Sequence, residues 1–138
     1  MCLYKNKKGF TLIEIMLVVT IIGVLAMVVI PRLAGRSEEA RVAAAKIQIE
    51  NIGVALDAYE LDNGRYPSTD QGLAALYANP GGLASWKGPY LKKKLKNDPW
   101  GTSYAYSQPG THGGDYDLHS CGPDRNDGGE DDITSWSE

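Results

Sequence analysis

Five carboxylates stand within nine residues near the C-terminus: Asp124, Asp127, Glu130, Asp131 and Asp132, in the stretch CGPDRNDGGEDDITSW. Like charges at that density repel one another, so the segment is either a solvated acidic tail or a loop that closes around a cation. Hard oxygen donors, the flexible pair Gly128-Gly129 and available backbone carbonyls suit Ca²⁺, which takes six to eight oxygens. The absence of a suitable His–Cys cluster argues against zinc. The loop is not an EF-hand. Asp124, Asn126 and Gly129 fit positions one, three and six, but Gly128 falls where a ligand belongs and Ser135 replaces the bidentate glutamate at twelve.

A lone carboxylate stands at the other end. Glu14 lies inside KNKKGFTLIEIMLVVTIIGVLAMVVIP, where Phe10–Ile30 is 21 residues, apolar apart from Thr11, Glu14 and Thr20. At 1.5 Å per residue that run spans roughly 30 Å, the thickness of a bilayer core. Lys5, Lys7 and Lys8 precede it, so the positive-inside rule puts the N-terminus in the cytoplasm and everything after Pro31 outside. A cleaved secretory signal would have a shorter apolar core and an A-x-A-like site. A plain signal anchor fits length and charge but leaves Glu14 unexplained. An ionised carboxylate in hydrocarbon costs several kcal/mol and normally signals a partner. Glu14 therefore needs a compensating cation, or must sit shallow enough to reach the interface.

The other reactive residue types form no catalytic constellation. His112 and His119 lack a nearby Ser or Cys in any nucleophile motif and read as ordinary loop or strand residues. Cys2 and Cys121 form no CxxC motif and no disulfide framework, and Cys121 reads as a loop residue contributing backbone. The chain is not expected to be an enzyme. A membrane-anchored periplasmic hydrolase would need a convergent nucleophile and base, and none is found. The net charge is −3, and from Asp115 onward eight acidic residues face a single Arg125. No broad basic face suggests nucleic acid, and the lysines of KKKLK at 92–96 read as a solvated turn. Trp86, Trp100 and Trp136 read as packing residues that peg loops to a small domain.

The elements that must position these groups are legible in outline. At 138 residues the chain is long enough for one small domain. Val42, Ala45, Ile49, Ile52, Leu56 and Tyr59 recur at spacings of three and four, the stripe of an amphipathic helix, while Glu38, Arg41, Lys46, Glu50 and Asp57 mark its opposite face. Asn63, Gly64 and Pro67 in DNGRYP are stop signals, so one long helix is expected from Phe10 to about Leu61. STDQGLAALYANP reads as a short helix. The alternation around Tyr104–Tyr106 and Tyr116–Leu118 reads as brief strands of a small antiparallel sheet, with the helix stripe as its missing face. The fold class is α+β.

Two sets of motifs carry a resemblance. KKGFTLIEIMLVVTIIGVLAMVVIP resembles the N-terminal signature of type IV pilins and of the pseudopilins of type II secretion. That resemblance implies a pilin-like fold, a leader Met1–Gly9 cut after Gly9 by a prepilin peptidase, and Phe10 as the N-methylated mature N-terminus. Glu14 then falls at the fifth mature position, where the Phe10 amine of a neighbouring subunit would neutralise it and set the axial register of a filament. Around Pro31 the resemblance implies a bend or local melting point. NGRYPSTDQGLAAL, GPYLKK, DPWGTSYAYSQPG, GDYDLHSCGPD and DDITSW are similar, more narrowly, to the major pseudopilin family of the general secretion pathway.

The implied organisation is a leader at 1–9, a transmembrane assembly segment at 10–30, the periplasmic half of the helix at 31–62, and a periplasmic α+β region at 63–138 with a calcium loop at 121–136. The implied calcium ligands are the carboxylates of Asp124, Asp131 and Asp132 with the Cys121 carbonyl, Glu130 or Asp127 being the rivals of Asp131. The implied function is that of the major structural subunit of a periplasmic pseudopilus that drives export of folded proteins across the outer membrane. The implied partners are further copies of the chain, the prepilin peptidase, minor pseudopilins and an inner-membrane assembly platform. A type IV pilin or a minor pseudopilin is the neighbouring alternative. Adhesive pilins usually carry a C-terminal disulfide loop, which the single mature cysteine argues against.

Overall fold

The computed structural model describes residues 9–136, without the side chains of residues 28–34. The expected leader residues Met1–Lys8 lie outside the described residues. The chain divides into two compact units, the first ending at Glu38 and the second beginning at Glu39, and each is described on its own.

In the first unit, helix α1 (Leu12–Asn63 in full) begins at Leu12. Its start has a local cause. Thr11 takes the cap position, and the Glu14 N–H donates to Thr11 Oγ1 at 3.3 Å while the Thr11 N–H donates to Glu14 Oε2 at 3.5 Å. This reciprocal pair is a capping box, in which Thr-x-x-Glu satisfies two backbone donors that the helix itself leaves open. Beyond it, the large apolar side chains from Phe10 to Met27 are all between 46% and 79% exposed. Among the described residues no helix is long and apolar enough to cross a membrane. The apolar run of the sequence extends through Val28–Ile30, whose side chains lie outside those described. α1 continues through Pro31.

In the second unit the stripe foreseen on α1 is the core. Ala45, Ile49, Ile52, Ala55, Leu56 and Tyr59 are buried, with Val42 partly buried against them. Gly64 ends the helix: at φ +72° its N–H donates to the Glu60 carbonyl at 2.7 Å, a left-handed closure that a side chain would resist. The segment read as a short helix is a 3-10 helix at Gly72–Leu76, whose Ala75 and Leu76 enter the core. Five residues closed by Ala78 and Asn79-Pro80 give room for i→i+3 turns but not for a settled α-helix.

The sheet has three antiparallel strands in sequence order, β1 (Ala105–Ser107), β2 (Asp117–Ser120) and β3 (Ile133–Thr134). Tyr106 faces Leu118 in the first pairing and Ser120 faces Ile133 in the second. Leu118 and Ile133 are buried in the same cluster as the α1 stripe. β1 and β2 fall close to where alternation placed them. β3 was not read as a strand, because two residues are too few to show a period. The DPWG turn is held by Asp98, a buried carboxylate that accepts from the N–H of Trp100 and Thr102 and from the Ser120 hydroxyl at 2.6 Å. That last bond ties the turn to the end of β2, immediately before the acidic loop.

Candidate functional site

The loop between β2 and β3 folds on its own carboxylates. Gly122 opens it at φ +65°, and a Cβ there would overlap the Asp131 carbonyl, so the two ends of the loop touch at a position only glycine fills. The Asp124 N–H donates to Asp131 Oδ2 at 3.1 Å, and the Asn126 N–H donates to Asp124 Oδ1 at 2.8 Å. Asp124 and Asp131 also meet beside Gly129, where a Cβ would lie 3.2 Å and 2.7 Å from their carboxylate oxygens. Asp132 points elsewhere. Its Oδ2 accepts from the Gly128 N–H at 2.9 Å, while its Oδ1 is closed to solvent and has no hydrogen-bond partner.

Asp132 shares its surroundings with Asp127 and with His119 of β2. One ligand atom from each of His119, Asp127 and Asp132 lies within 4.8 Å of the other two, a group with the spacing to hold a metal ion. Of the four residues expected as calcium ligands, the structure thus brings Asp124 and Asp131 together and places Asp132 in this adjoining group. Cys121 is buried beside them. Burial pushes its thiol up, and the surrounding carboxylates, Asp127 and Asp132 foremost, add to the effect. Both effects favour the protonated thiol over the thiolate. Glu130 is exposed. An oxygen-rich loop with an orphaned buried carboxylate oxygen fits a hard cation, which would satisfy Asp132 Oδ1 and offset the repulsion among the acids.

The histidines are more engaged than a motif search suggests. His112 stacks on Trp136 at 4.1 Å and contacts the buried Asp117 through Nδ1 at 3.0 Å. The Thr111 N–H and hydroxyl both donate to Asp117 Oδ2, at 2.8 and 2.7 Å. Burial works to raise the Asp117 carboxyl, but these bonds and those from His112 outweigh it and hold the group far below the usual carboxylate range. His119 Nε2 lies 2.7 Å from Asp127 Oδ1, with Trp136 edge-on to its ring. Sequence spacing could not announce His119, since it reaches Asp127 and Asp132 only because β2 and β3 pair. Trp100 is in the core, and Trp86 packs against it with its indole N–H on the Ala75 carbonyl. Lys92, Lys93, Lys94 and Lys96 are exposed.

At the other end Gly9 and Phe10 are exposed and precede the helix, and Glu14 is bonded to Thr11 as described. The Thr-x-x-Glu spacing was a readable capping signal, and it gives Glu14 a role inside its own chain.

The chain resembles known proteins over nearly its whole length. Residues 32–136 match the family described as "Type II secretion system (T2SS), protein G", and residues 4–30 match the prokaryotic N-terminal methylation motif. A type II secretion system core protein G of Pseudomonas aeruginosa is 48% identical, with 96% of each chain covered. One from Escherichia coli strain K12 is also 48% identical, covering 95% of this chain and 92% of its own. Among solved structures, the major pseudopilin from the type 2 secretion system of enterohaemorrhagic Escherichia coli superposes with a TM-score of 0.67 at 35% identity, over 75% of this chain and 89% of its own.

Proposed function

The chain belongs to the type II secretion system protein G family, and on that premise we propose that it is the major subunit of a periplasmic pseudopilus that drives export of folded proteins across the outer membrane. It is made as an inner-membrane precursor with its N-terminus cytoplasmic. A prepilin peptidase cuts after Gly9 and methylates the new amine of Phe10. Copies then polymerise with minor pseudopilins on an inner-membrane platform. The observation that carries this reading is the apolar surface from Phe10 to Met27, exposed throughout. Surface of that extent requires a bilayer, neighbouring copies, or one after the other. In the polymer the amine of one copy neutralises Glu14 of the next, and only one stagger brings those charges together.

The periplasmic half of α1 offers a second contact surface. Ile47, Val54 and Leu61 are exposed at seven-residue spacing while the core stripe is buried, so they share a face turned away from the chain's own core. The C-terminal loop holds Ca²⁺ through the carboxylates of Asp124, Asp131 and Asp132 and the Cys121 carbonyl. The ion's contribution is structural: it neutralises the loop and orders the surface beside β2 and β3. The oxygen donors and the orphaned Asp132 Oδ1 support this assignment. The processing step is tested by intact mass and N-terminal sequencing of protein recovered from cells carrying the secretion system. The reading requires a chain beginning at a methylated Phe10, and recovery of only Met1-initiated chain in assembled filaments would overturn it.

A further inference from the structure

The loop between β2 and β3 opens with a peptide group that is held from the protein interior. Ser120, the last residue of β2, is fully buried, and so is Asp98 of the DPWG turn, at 5% exposure. Asp98 divides its two oxygens. Its Oδ1 accepts from the Trp100 and Thr102 N–H groups at 3.1 and 2.7 Å, which closes the turn, and its Oδ2 accepts from the Ser120 hydroxyl at 2.6 Å. With its proton committed to the carboxylate, Ser120 Oγ presents a lone pair, and the Gly122 N–H donates to it at 3.2 Å. The turn itself does not need this chain of bonds, because Oδ1 alone serves both of its backbone donors.

The Gly122 N–H belongs to the same peptide group as the Cys121 carbonyl. That group is trans and planar, so its N–H and C=O point in opposite directions. Tying the N–H to Ser120 turns the carbonyl away from the buried pair. Without the tie its direction would be open. The closeness of the Asp131 carbonyl excludes a side chain at position 122, and the glycine required there lets the preceding peptide group face either way. We propose that Ser120 and Asp98 are positioning residues for the cation loop: they fix the direction of the Cys121 carbonyl and thereby set the affinity for calcium. The carboxylate also polarises the bonds running from hydroxyl to N–H, which makes the carbonyl a stronger oxygen donor. This role rests on the reading that the loop holds Ca²⁺ with that carbonyl among its ligands, a set to which neither residue belongs.

Calorimetric titration of CaCl₂ into the full-length chain in detergent, stripped of metal by chelator, reads the affinity. The carbon-13 resonance of the Cys121 carbonyl reports its engagement. The wild type binds calcium, and the resonance moves as it does so. Ser120→Ala weakens calcium roughly 10–100-fold, the cost of losing a partner that orients a metal ligand, and the movement of the resonance shrinks. Asp98→Asn keeps an oxygen for the turn and puts a donor where Ser120 needs an acceptor. It weakens calcium in the same range and keeps the test valid should Ser120→Ala disturb the strand. Leu56→Ala lowers the melting temperature in chelator yet retains wild-type calcium affinity, which separates positioning from general stability. The proposal is overturned if Ser120→Ala or Asp98→Asn binds calcium as the wild type does, or if Leu56→Ala weakens calcium equally. In those cases wild-type binding leaves the calcium reading standing. A wild type that takes up no calcium removes that reading and this role with it.

Discussion

One helix carries two apolar surfaces with opposite fates. On one side of α1 the apolar side chains of Ala45, Ile49, Ile52, Ala55, Leu56 and Tyr59 are sealed by Leu76, Trp100, Tyr104, Leu118 and Ile133, all from the same chain. From Phe10 to Met27 the apolar side chains meet nothing of the kind and stay exposed. The first surface is a stripe, as expected of a helix with one partner. The second runs all the way round, as expected of a helix surrounded by lipid or by like helices. The fold of the monomer is therefore an account of the second unit. The first unit becomes intelligible only when its surroundings are supplied.

That contrast is open to direct attack. The largest effect belongs to the core: Leu56→Ala removes a fully buried side chain and lowers the unfolding free energy of the full chain by about 2–5 kcal/mol. Leu17→Ala, in the exposed run, changes it by no more than about 0.5 kcal/mol. Denaturant titration of both variants in detergent reads the difference. Equal losses would mean that the two surfaces are not distinct in the monomer.

Calcium comes next. A ligand bound only by the folded state stabilises by mass action, about 2.7 kcal/mol at a hundredfold excess over Kd. The calcium reading therefore predicts a melting temperature several degrees higher in excess Ca²⁺ than in chelator, with Asp124→Asn erasing most of the gap. Identical melting curves in calcium and chelator would remove the ion.

A smaller effect follows from Asp117. Its carboxyl titrates below the unfolded value of 3.8, so the folded state favours the ionised form. The resulting stability is complete above about pH 4 and is lost as pH falls through the folded value. Asp117→Asn flattens that acid limb, measured as melting temperature against pH. A limb that survives the substitution would place the sensitivity in other carboxylates.

How much of this was readable beforehand follows the same division. The core stripe, the stop at Gly64 and two of three strands were legible because local periodicity and turn chemistry coincide with the tertiary solution. The 3-10 turn was taken for an ordinary short helix because both begin with the same residues. β3 has too few residues to carry a pattern. In the acidic loop, composition left a solvated tail and a cation-binding loop both open. The approach of His119 to Asp127 and Asp132 depends on how the loop between β2 and β3 folds back beside the paired strands, which no spacing rule encodes. At the N-terminus the capping box is in plain view as Thr11 and Glu14, yet the cost of a carboxylate in hydrocarbon points to a partner charge or the interface and not to the helix's own end.

Those two roles of Glu14 are separable, and separating them tests the central claim. Glu14→Ala removes both the cap, worth about 1 kcal/mol or less, and the charge. Glu14→Gln keeps the capping geometry, since glutamine serves at that position of the box, and removes only the charge. Filament assembly is measured in cells producing each variant, with membrane insertion verified in parallel. Charge pairing with a neighbour's Phe10 amine predicts that both variants insert normally and that both fail to assemble. Normal filaments from Glu14→Gln alongside failure of Glu14→Ala would contradict it, and would make Glu14 a capping residue of its own helix.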